Sequence, residues 1–108
     1  MKSNDVIQRK LPEMMLAETL VMISDNDQNY DTRNVLIVRA MDQALQCGYE
    51  VGIGFDPLEP YWPVVFIELP TGQVSWHVPP HTKRWDSHNG DTKVIRVVQY
   101  ANAVLRGL

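Results

Sequence analysis

Within the eighteen residues TGQVSWHVPPHTKRWDSH, positions 71–88, the chain places all three of its histidines, two of its three tryptophans and an aspartate. Imidazoles and carboxylates ligate zinc, manganese or iron, and they move protons near neutral pH. A metal ion would draw on His77, Asp86 and His88, with His81 as a fourth ligand. The spacing is not that of a His-Glu-x-x-His helix or a Cys-x-x-Cys pair, so no resident metal or cofactor is expected. Acid–base catalysis would need Asp86 to orient His88 or His77. Ser75 and His77 stand two apart and share a strand face, yet no acid is placed by sequence to complete a triad. No Gly-rich phosphate loop precedes a helix, and Cys47 falls near a helix end, where cysteine is usually a small core residue. A structural role uses the same residues: Asp86 and His88 satisfy loop amides while Trp85 plugs the edge of the core. These incomplete constellations weigh toward a protein that is not an enzyme.

The elements that must position this segment follow from periodicity. Residues 1–10 are polar and mixed in charge and are expected as a flexible arm, with one α+β domain over residues 11–108. Pro12, tolerated in a first helical turn, opens a helix over residues 11–24 with Met15, Leu16, Leu20 and Ile23 at three- and four-residue intervals. The run SDNDQNYD, positions 24–31, favours a surface loop. A second helix is expected over residues 32–47, capped by Asp31 or Thr32, with Ile37, Val38, Met41, Ala44 and Leu45 on its apolar stripe and Gly48 as a left-handed C-terminal cap.

After Gly48 the period becomes two. Residues 49–55 predict a strand, and DPLEPYWP, positions 56–63, predicts a stiff loop in which Trp62 lids the core. Residues 64–69 and 73–78 predict a hairpin closed by a three-residue loop, Pro70-Thr71-Gly72. That loop pairs Leu69 with Gln73, Ile67 with Ser75 and Val65 with His77, while Phe66 meets Trp76 in the core. Trp76 and His77 then point to opposite faces, with Ser75, His77 and Gln73 forming a polar patch. A last helix, capped by Asp91 or Thr92, carries Val94, Val97, Val98, Ala101, Val104, Leu105 and Leu108 as its stripe. The fold expected is a three-stranded antiparallel meander packed with about three helices.

Composition narrows the function classes. A chain of 108 residues with 44% hydrophobic content makes one core. Ten Lys plus Arg against thirteen Asp plus Glu give a net charge of -3, and the basic residues are scattered, which disfavours nucleic acid as a partner. No apolar run approaches the roughly 20 residues of a membrane span. One cysteine and no signal-peptide pattern predict a cytoplasmic protein.

The words ELPTGQVSWHVP, positions 68–79, and WDSHNGDTKVIRV, positions 85–97, resemble the two signature stretches, LPTGQVSWH and WDGH, of a family of small bacteriophage and prophage proteins. Leu69 to His77 match without a change, as do Trp85, Asp86, His88, Lys93 and Arg96, whereas Ser87 stands in place of the family's glycine. The likeness spans roughly residues 48–100. It implies a phage or prophage origin rather than an activity; accessory proteins of this size and acidity often bind and block host defence machinery or sequester a small molecule, so the function expected first is binding, as an antagonist of a host defence system, to a host or phage protein or a small molecule. In that role Ser75, His77, Trp85, Asp86 and His88 form the recognition surface, with aromatic area and directed hydrogen bonds. The alternatives are a metal-dependent hydrolase of a phosphorylated or nucleotide substrate built on His77, Asp86 and His88, and an assembly subunit that forms a homo-oligomer through the meander's open face or edge.

Overall fold

Alternation of helical and strand periods yields three helices and one sheet, α1 (Lys2–Asp25), α2 (Tyr30–Gln46), β1 (Val51–Phe55), β2 (Pro63–Leu69), β3 (Gly72–His77) and α3 (Gly90–Leu105). The computed structural model describes residues 2–26, 28–55, 63–78 and 90–106. Trp62, and the loop expected around it, lie outside the described residues. The α+β class read from the sequence is the fold observed.

The helix α1 starts at Lys2 and takes Pro12 into its body, where the ring contributes no amide donor. Its inward line is Leu16, Ala17, Thr19, Leu20 and Ile23, while Met15 is half-exposed. The Thr19 hydroxyl can be buried because it donates to the Met15 carbonyl at 3.0 Å. Asn29 caps α2, its side chain accepting from the Thr32 amide at 3.4 Å; the expected caps Asp31 and Thr32 are instead inside the first turn. The stripe of α2 is rotated from the one expected. Arg33, Leu36, Ile37, Ala40, Gln43 and Ala44 face inward, and Val38 and Leu45 face out. Gly48 ends the helix at φ +82°, in the left-handed region foreseen for it, and the Tyr49 amide closes onto the Ala44 carbonyl at 2.9 Å.

The sheet is an antiparallel meander in the order β1-β2-β3. β1 pairs with β2 as Val51↔Ile67, Ile53↔Val65 and Phe55↔Pro63. β2 pairs with β3 as Val65↔Trp76, Ile67↔Val74 and Leu69↔Gly72, with Val64↔His77 and Phe66↔Ser75 on the other face. This register differs by one residue from the expected hairpin. Gly72, at φ +130°, belongs to the strand rather than to the loop, leaving only Pro70 and Thr71 to turn the chain. Trp76 therefore packs with Val65, Ile67, Leu69 and Val74 against the helices instead of beside Phe66. The Phe66 ring lies over Gly52 of β1, so close that a β-carbon there would sit 2.5 Å from Cζ.

The helix α3 closes the core with Val97, Tyr100 and Val104. Val94, Val98 and Leu105, expected on its buried stripe, are exposed. Tyr100 sets the phase: its ring meets Tyr49 edge-on with centroids 6.0 Å apart, and the two hydroxyls stand 3.3 Å apart. None of the helices, among the described residues, is long and apolar enough to cross a membrane.

Candidate functional site at the outer edge of the sheet

Hydrogen-bond phase decides what β3 offers to its surroundings. The Val78 amide donates to Pro63 at 3.2 Å, so by alternation Trp76 and Val74 bond to β2, and Gln73, Ser75 and His77 turn their amides and carbonyls outward. Two arginines occupy that edge. Arg33 of α2 donates from Nη2 to the His77 carbonyl at 2.9 Å, and Arg96 of α3 donates from Nη1 to the Gln73 carbonyl. Thr71 fastens the second clamp, its hydroxyl donating to the Arg96 carbonyl at 3.1 Å.

Arg33 is 0% exposed, the largest fully buried side chain described. Burying a guanidinium is costly unless its donors are used and its charge is compensated. Asn34 Oδ1 accepts from Nε at 3.3 Å and from Nη2 at 3.0 Å, and Cζ lies 5.0 Å from the centre of the Tyr30 ring. The guanidinium thus joins an amide, an aromatic face and the end of β3.

Ser75 and His77 share the face opposite Trp76, across from Phe66 and Val64, as their parity requires. Both are buried, His77 at 0% exposure. Gln73, on the same face, is exposed and donates from Nε2 to Glu68 Oε1 at 2.7 Å. The patch is therefore an interior floor at its His77 end and a wet surface at its Gln73 end. Trp85, Asp86 and His88, like His81, lie outside the described residues. Among the described residues, no group of three His, Cys, Asp or Glu side chains is placed to hold a metal ion.

Arg33, Asn34 and Tyr30 were not among the candidates read from the sequence. The signal for Arg33 was present: it stands three, four and seven residues before Leu36, Ile37 and Ala40 and so falls on the buried stripe. A second polar cluster joins Cys47, Tyr49 and Tyr100 where the helices meet β1. Burial, followed by the nearby Glu13 charge, raises the Cys47 thiol above its ordinary value. Burial, with the bond to Tyr49, raises the Tyr100 phenol. The thiol therefore stays protonated and weakly nucleophilic at neutral pH.

A family model described as the WDGH domain matches residues 18–100, and the chain belongs to that family. Where the description spells Trp-Asp-Gly-His, residues 85–88 read Trp-Asp-Ser-His. No curated protein and no solved structure matches the chain.

Proposed function

We propose that this member of the WDGH-domain family acts by binding, with Ser75 and His77 at the end of β3 and Trp85, Asp86 and His88 beyond it forming the recognition site. The observation that carries the reading is the Arg33 clamp on the His77 carbonyl. It fixes the end of β3 from inside, so a partner does not have to order that backbone on arrival. Surface chemistry supports binding as well. Met14, Ala17, Val21, Ala101, Val104 and Leu105 line an apolar groove between α1 and α3, a feature frequently used for partner contact. In this reading the partner is a host protein in the host cytoplasm, part of a defence system that the chain antagonises, a role for which the resemblance to bacteriophage and prophage proteins speaks.

The test is complementation: cells carrying a defence system are infected with a sensitive phage while expressing the chain or its variants. Restored plaque formation that is lost in Trp85→Ala and His88→Ala, with melting temperatures unchanged, supports the proposal. Full protection by both variants overturns it. Stoichiometric zinc or manganese together with phosphodiester hydrolysis lost in His88→Ala would replace it with the hydrolase.

A further inference from the structure

The two edges of the sheet are treated differently. The β3 edge carries the Arg33 and Arg96 clamps, whereas β1 has none among the described residues. The Glu68 amide donates to the Glu50 carbonyl at 2.9 Å, which sets the phase of the β1–β2 ladder. Gly52 and Gly54 bond to β2, and Val51, Ile53 and Phe55 turn their backbone groups to the open side. No hydrogen bond among the described residues reaches those outward groups. The strand VGIGF contains no charge, no proline and no bulge, the devices that usually blunt an edge. Ile53 and Phe55 are 66% and 65% exposed.

We infer that β1 pairs antiparallel with β1 of a second copy of this chain, about a two-fold axis at Ile53, to make a continuous six-stranded sheet. This goes beyond the binding function and uses the opposite edge of the sheet. The occupant follows from self-complementarity. Only the odd-numbered residues present backbone groups, and a two-fold at Ile53 pairs odd with odd: Ile53 with its own copy and Val51 with Phe55 of the other chain. Their side chains share one face, so the same operation sets an aromatic against a β-branched residue at both ends and isoleucine against isoleucine in the middle. Glu50 and Asp56 flank the strand in sequence. Each copy carries a net charge of -3, so salt screens the repulsion between the two chains and tightens the dimer.

Sedimentation across a concentration series, with amide exchange read by NMR, tests this on the full chain. The expected result is a dimer that grows with concentration and with ionic strength, accompanied by slowed exchange at Val51, Ile53 and Phe55. Ile53→Lys places like charges across the axis and weakens association at least about tenfold, equivalent to about 1.4 kcal/mol. A monomer at about millimolar concentration overturns the inference. So does a dimer in which those three amides exchange as fast as in dilute solution, a result that stands even if the lysine variant fails to fold.

Discussion

Replacing Arg33 tests whether a buried cation holds the end of β3. Arg33→Ala removes a charge-assisted hydrogen bond to a buried carbonyl, worth about 1.5–3 kcal/mol, and the contact with the Tyr30 ring, worth about 0.5–2 kcal/mol. It also leaves the His77 carbonyl without this donor. The expected loss is about 3–5 kcal/mol, a large part of the roughly 5–15 kcal/mol that stabilises a domain. At about 4 °C or more per kcal/mol, the melting temperature falls by at least about 12 °C. Arg33→Met keeps most of the volume without the donors and isolates the polar contribution, at about 1–3 kcal/mol. Arg33→Lys keeps the charge but loses the planar guanidinium and the Nε bond to Asn34, so it falls between parent and Ala. Urea unfolding followed by circular dichroism reads all three. An Arg33→Ala variant within about 0.5 kcal/mol of the parent would refute the clamp, since that is the scale of an ordinary surface substitution.

Adding a methyl group at Gly52 drives it into Phe66 Cζ and Cε1 at 2.5 and 2.6 Å, so Gly52→Ala costs about 1–3 kcal/mol; Gly54→Ala, which meets nothing within 4 Å, stays within about 0.5 kcal/mol of the parent. Equal urea midpoints for the two variants would contradict the packing of Phe66 on β1. Alkali should destabilise the fold. Cys47, Tyr49 and Tyr100 all hold their protons more tightly when folded than at their ordinary values of 9.0 and 10.0. The native state therefore binds more protons once the unfolded groups ionise: their contribution is complete below about pH 9 and is lost as pH rises beyond it. The slope reaches about 1.4 kcal/mol per pH unit from the fully buried Tyr100 alone, and Tyr100→Phe should flatten it. A parent stability constant to about pH 11 would exclude this coupling.

Element types were legible because each period ran long enough to outweigh its exceptions, and Gly48 marked the turn from helix to strand without ambiguity. Hairpin register was not, for a physical reason. Val74, Ser75, Trp76 and His77 are all buried, so β3 lacks the in–out alternation that fixes register, and turn length alone decides it. Gly72 suited either assignment: its positive φ serves a loop residue as well as a strand residue facing Leu69. The rotation of α2 has a related origin. Arg33 and Gln43 occupy the core side, and polar residue types read as solvent-facing until a partner for them is seen. Parity alone placed Ser75 and His77 on one face opposite Trp76. What lies against that face could not be read, because Arg33 comes to His77 from 44 positions away in the chain.

The two arginine clamps also impose an order on biosynthesis. Arg33 precedes the strand it caps, so when β3 leaves the ribosome the His77 carbonyl can find its donor at once. Arg96 follows by more than twenty positions, in the last helix. Until α3 has been synthesised and docked, the turn end of β3 is an open edge beside a half-built core, the state in which nascent chains pair with one another. Stalled or C-terminally truncated products of this gene should therefore aggregate through β3, while the finished chain carries its own stopper.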